Sequence, residues 1–225
     1  MTSTEIERVR GELSRLPIFP LPGIALLPGA LIPLHVFEPR YRRLVRDCAR
    51  GAGVLGLACI PDGEEGISDP SRKPRLLPVL GVGVLARVER LPDGRSNIVV
   101  RGVLRARIER EHEAPEPYRI VDAVPLADEV TEADAARADS LRRVLFSLCT
   151  AQRTAASASL AQIAGRLTVP GELADAVAGA VIEDPSERQG ILETLSVSRR
   201  LLRVERAVSA ALALTAATAA VSLRN

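Results

Sequence analysis

Lys73 is the single lysine of the chain, so any chemistry that needs a lysine must use it. A phosphate-binding loop requires Gly-x-x-x-x-Gly-Lys followed by Ser or Thr, whereas Lys73 stands between Arg72 and Pro74. A Ser–Lys hydrolytic dyad needs an amine of lowered pKa, and the polar surroundings of Lys73 offer nothing to desolvate it. His35 and His112, the two histidines, are candidate general bases. Each falls in a predicted strand with no nucleophile beside it. No Gly-x-Ser-x-Gly elbow occurs. Cys48, Cys59 and Cys149 are odd in number and widely spaced, which fits neither a disulfide framework nor a zinc site. These residues predict no catalytic group, no metal, no cofactor, and reduced buried thiols.

The composition narrows the function classes further. A net charge of +2, with acidic and basic residues mixed along the chain, lacks the basic stripe or tail of a nucleic-acid binder. The densest basic stretch is Arg40, Arg42, Arg43, Arg46 and Arg50, on one predicted helix; it is either a solvated helix face or a local anionic contact. Aromatic residues make up only 2%, so Leu, Val, Ile and Ala must build the core. The first sixteen residues are charged and have no apolar signal-peptide segment, which predicts a cytoplasmic protein. Residues 207–223 carry no charge, but the stretch is short and rich in Ala, Ser and Thr; it is expected to pack on other helices rather than span a membrane.

The elements that would position these side chains change character near residues 127–131. Before that point, short apolar runs alternate with Pro, Gly and Asp-Gly turns: 16–21, 31–37, 54–60, 79–91, 97–101, 104–111 and 118–126. Many short strands joined by tight turns predict a small, curled, barrel-like sheet. Glu38-Pro39 opens one helix, with Tyr41, Leu44, Val45 and Cys48 on a single face. Residues 61–74, rich in Gly, Pro and acid, read as a loop. After residue 128 the period becomes helical, as at Leu141, Val144, Leu145 and Leu148, and five helices with short connections read as a bundle. The expectation is an α+β chain: an N-terminal extension over 1–15, a barrel-like unit over 16–128 and a helical bundle over 129–225.

Residues 159–169 resemble the first helix and turn of a helix-turn-helix. The helix that would then enter the major groove carries Glu172 and Asp175 and no Arg, Lys, Asn or Gln for base edges. DNA binding through it is not expected.

Phe19-Pro20-Leu21-Pro22-Gly23, Leu27-Pro28-Gly29 and the run from Pro33 to Tyr41 (PLHVFEPRY) resemble the opening of the N-terminal substrate-recognition domain of Lon proteases. Val79-Leu80-Gly81-Val82-Gly83, Leu91-Pro92-Asp93-Gly94-Arg95 and Arg101-Gly102-Val103 are similar to its second block. Arg188-Gln189, Leu192-Glu193-Thr194-Leu195 and Arg200-Leu201-Leu202 are similar to its helical part. The resemblance implies a PUA-like β-barrel followed by a helical bundle, free-standing and without the ATPase and protease modules. It implies a non-catalytic module that holds unfolded or degron-bearing polypeptide, as adaptor or regulator of proteolysis, with a protease or chaperone as further partner. Leu27, Leu31, His35, Phe37, Glu38, Arg40 and Tyr41 are the polypeptide-contact or signature residues it singles out, with His35, Glu38 and Arg40 able to form one polar network. The alternative is RNA or other nucleic-acid binding, which PUA-like barrels also perform; scarce aromatics count against it.

Overall fold

The computed structural model describes residues 3–61 and 73–222, in two units, Met1–Ala127 and Asp128–Asn225. Most of the 61–74 loop lies outside the described residues. The first unit contains α1 (Ser3–Gly11), β1 (Leu16–Pro22), β2 (Leu31–Val36), α2 (Pro39–Arg50), β3 (Val54–Ile60), β4 (Val79–Arg90), β5 (Ser96–Glu111) and β6 (Arg119–Pro125). The second contains α3 (Asp134–Gln152), α4 (Ala155–Arg166), α5 (Pro170–Val181), α6 (Pro185–Glu193) and α7 (Val197–Ser222). The α+β class follows directly.

Strand β3, VLGLACI, is apolar along its whole length and must therefore be covered on both faces. Val54 and Ala58 point into one core with Val9, Leu13, Leu16, Ile18, Leu80 and Val121. Leu55 and Leu57 point into another, with Phe19, Leu26, Tyr41, Leu44, Val45 and Val100. Helix α2 roofs the second core through Tyr41, Leu44, Val45 and Cys48, the face its spacing predicts. Helix α1 places Val9 fully inside the first core, so residues 3–13 are part of the packing of this unit despite their charge.

Pairing runs β5–β4–β3–β1–β6, and β6 returns to the far half of β5. The β1–β3 pair is parallel and the others are antiparallel. The sheet thus curls as expected for a barrel-like unit. Strand β2, attached only to β5, stands outside the ring and leaves the sheet with an edge. Two runs read separately in the sequence, 97–101 and 104–111, are one strand. A register shift between Val82 and Gly83 absorbs the irregularity at Gly102. There the Leu26–Ala30 loop lies on the strand: Gly29 N donates to Gly102 O at 2.9 Å, and Gly102 N donates to Ala30 O at 2.9 Å.

At the β1–β6 junction, the carboxylate of Asp122 accepts from His112 (2.6 Å), from Arg110 (2.7 Å) and from the backbone N–H of Arg15 (3.1 Å), a residue held at φ +60. The His112 bond, then those of Arg110 and Arg15, hold this carboxyl well below the usual carboxylate range. A depressed folded pKa adds stability above the unfolded value of about 3.9, and the contribution is lost as pH falls through the folded value. Asp122→Asn is therefore expected to show a shallower fall in urea midpoint than the parent between pH 4 and 2. Superimposable acid limbs would refute this role.

In the second unit, α5 lies against α7 and buries Leu173, Ala174, Asp175, Val177 and Ala178. A helix this enclosed cannot enter a DNA groove, which disposes of the helix-turn-helix resemblance. Asp184 caps α6 by accepting from Glu187 N at 2.7 Å, with Pro185 in the first turn. Thr154 and Ser157 form a capping box at α4. Arg200 of α7 is wholly buried, bidentate to Asp128 at 2.7 and 2.6 Å and 3.5 Å from Asp175.

Candidate functional site: an open sheet edge

Along β2 the side chains alternate. Ile32, Leu34 and Val36 turn toward the core beneath α2, which leaves Leu31, Pro33 and His35 on the outer face. Proline is tolerated here because an edge strand need not donate on both sides. Phe37 continues the outer row, and its ring lies 6.3 Å from that of His35. Leu31 and Phe37 are each 60% exposed, far more than folding requires of large apolar side chains.

The register extends this row across the sheet. Pro33 pairs with Val99 and Val99 with Arg87; His35 pairs with Asn97 and Asn97 with Glu89. Together they frame a shallow depression of about 350 Å³. His35 is oriented from both sides: Nδ1 is 2.8 Å from Asn97 Oδ1, and Nε2 is 3.4 Å from the guanidinium of Arg95. The Nδ1–H tautomer meets both contacts. The result is a mixed surface, apolar at both ends and hydrogen-bonding in the middle, beside backbone groups with no neighbouring strand among the described residues.

The seven residues named from the sequence separate into three places. Leu31, His35 and Phe37 share this outer face. Glu38 and Arg40 pair with each other at 2.8 Å on the wall of a cavity of about 390 Å³, which Pro20, Tyr118 and Arg119 also line. Leu27 and Tyr41 are core residues, 1% and 6% exposed, although Tyr41 also touches the wall of that cavity. Tyr41 stacks on Phe19 at 4.1 Å beneath the Arg40 guanidinium. The single network of His35, Glu38 and Arg40 does not form, because His35 turns to Asn97 while Arg40 takes Glu38. Glu38 makes no side-chain cap to α2. Missed from the sequence were Asn97, Val99, Arg87 and Glu89. Their two-residue spacing on adjoining strands was the available signal.

Of the residues first considered for chemistry, Lys73 forms an ion pair with Glu111 at 3.0 Å, which Arg119 shares. All three cysteines are buried and none is in a disulfide, and burial pushes the Cys48 thiol up to about 12. Among the described residues no group of three or more His, Cys, Asp or Glu could hold a metal, and no helix is long and apolar enough to cross a membrane.

A curled sheet with an open edge, followed by a helical bundle, defines an α+β architecture. The chain belongs to the ATP-dependent protease La (LON) substrate-binding domain family, whose profile matches residues 15–209. Similar relatives include the Lon protease of Azorhizobium caulinodans, 29% identical over 87% of this chain and 22% of that protease. The Lon protease of Salinispora arenicola is 32% identical over 84% and 23% of the two chains. This chain therefore spans under a quarter of the length of these relatives. In fold it is similar to the N-terminal domain of the Mycobacterium avium complex Lon protease (TM-score 0.68, 23% identity, covering 87% of this chain and 98% of that one). It is also similar to the Lon N-terminal domain protein from Xanthomonas campestris (TM-score 0.59, 25% identity, covering 85% and 96%).

Proposed function

We propose that this protein holds unfolded or degron-bearing polypeptide on the outer face and open edge of β2, without transforming it. The observation that carries the reading is the placement of Leu31 and Phe37, both 60% exposed, at the two ends of an edge strand. An extended segment added alongside β2 would gain main-chain hydrogen bonds, while alternate side chains would cover Leu31 and Phe37. Membership of a substrate-binding family supports the reading. Service as an adaptor or regulator of proteolysis, with a protease or chaperone as second partner, extends it. Three buried cysteines outside any disulfide suit residence in a reducing cytoplasm.

The test is a titration of a labelled, permanently unfolded protein, with its folded form as control, at two salt concentrations. Saturable binding to the unfolded form alone, little changed by salt, is the expected result. Leu31→Ser combined with Phe37→Ser should weaken that binding roughly tenfold, about 1.4 kcal/mol, with an unchanged melting temperature because neither side chain is in the core. Equal binding of the folded control, or an unaffected double variant, would sink the proposal. Steep salt dependence would favour nucleic acid instead.

A further inference from the structure

A second surface of the first unit has a different chemistry. Between α2 and the β4–β5 hairpin lies a cleft of about 340 Å³ lined by four arginines: Arg42, Arg46 and Arg50 of the helix and Arg90 of β4. Among the described residues, none of these guanidiniums has an ion-pair or side-chain hydrogen-bond partner. The carboxylates on the same elements are engaged elsewhere. Asp47 takes Arg43 and Tyr118, Glu89 takes Asn97, and Asp93 takes Arg95 through both its backbone and its guanidinium. Asp93 and Asp47 lie close enough to feel Arg42 and Arg50, but neither bonds to them. The cleft is shaped for its arginines: the Arg42 guanidinium lies against Gly94, in the space that any other residue would fill with Cβ. Its remaining lining is aliphatic, with Val45, Val88 and Leu91.

We propose that this cleft binds an extended acidic polypeptide segment in which carboxylates alternate with aliphatic side chains. Arg42, Arg46 and Arg50 follow each other at i, i+4 and i+8, about 6 Å apart per step along one helix face. Alternate residues of an extended chain recur every ~6.7 Å, so successive carboxylates can meet successive guanidiniums in charge-assisted pairs. Arg90 closes the opposite wall, and the intervening aliphatic side chains face Val88 and Leu91. Nucleic acid fits less well, because no aromatic residue lines the cleft to stack a base. The site is independent of the β2 face, and its binding is expected to weaken with salt where that of the apolar face does not.

The experiment measures fluorescence anisotropy of a labelled decapeptide alternating Asp with Leu or Val, against the same peptide carrying Asn for Asp. Separate arms use inorganic pentaphosphate and an oligothymidylate as competitors. The acidic peptide should bind the parent, and the Asn peptide should bind at least tenfold more weakly. Arg46→Glu with Arg90→Glu should weaken the acidic peptide at least tenfold, since both side chains are exposed and the fold does not depend on them. Arg143→Glu with Arg166→Glu makes the same charge change in the second unit and should leave binding within twofold. Leu31→Ser with Phe37→Ser should also leave it unchanged, so failure here and failure of the β2 reading are separable. An unaffected Arg46/Arg90 variant, equal binding of the Asn peptide, or competition by pentaphosphate or oligothymidylate at tenfold lower concentration than unlabelled acidic peptide would overturn the proposal.

Discussion

Arg200→Met is expected to destabilise the second unit by about 3–5 kcal/mol, the range for removing one partner of a buried ion pair. The side chain has no solvent exposure, and it donates to Asp128 through both terminal nitrogens and to Thr194 O at 3.1 Å. Asp175, itself 2% exposed, faces the Arg200 Nε at 3.5 Å. Removing the guanidinium takes away the buried positive charge that faces both Asp128 and Asp175, and Leu201, Val204 and Val208 of the same helix are buried as well, which leaves water no easy access. Arg200→Lys should recover only part of the loss, because an ammonium cannot make the two-pronged contact while also reaching Thr194. Urea unfolding followed by helical circular dichroism measures both. A loss under 1 kcal/mol for Arg200→Met would show that the pair is dispensable.

The second large effect belongs to Gly102. A methyl at this position would overlap the carbonyl oxygen of Leu27 and stand 2.9 Å from its carbonyl carbon; at Gly81 it would stand 2.7 Å from Leu26 Cβ. Both obstacles include backbone, which cannot rotate aside as a flexible side chain can. Gly102→Ala would push the Leu26–Ala30 loop off β5 and weaken the two hydrogen bonds that tie them. It would also lift Leu26 and Leu27, 0% and 1% exposed, from the core. Overpacking and the two bonds together amount to about 3 kcal/mol, or a fall of roughly 10 °C in the melting temperature of the sheet unit. Gly11→Ala is the control, with nothing within 4 Å of the added methyl, and should be nearly neutral. Equal melting of the two variants would refute the close-approach account.

These two sites show where reading along the chain stops. Local periodicity identified the Tyr41, Leu44, Val45 and Cys48 face of α2, the five bundle helices and the Asp184–Pro185 start, because each depends on residues within one or two turns of one another. The helical period also held a clue to Arg200: it lies three residues after Val197 and four before Val204, on the face that is buried. Its partners Asp128 and Asp175 are 72 and 25 positions away, so the counter-charges that make its burial tolerable cannot be read from spacing. Among the site residues, 31–37 was legible as one short apolar run, but an apolar run does not say which of its side chains face water.

By itself, then, the sequence determined the α+β order of elements, the family and the absence of local catalytic motifs, through short-range spacing and block similarity. Only the tertiary structure decided that Leu27 is core while Leu31 and Phe37 are surface, because that depends on a loop crossing two glycines and on α2 roofing one face of the sheet. It also decided that Arg90 joins Arg42, Arg46 and Arg50 around one cleft. Strand and helix meet there across some 40 residues of chain, and no periodicity reaches that far.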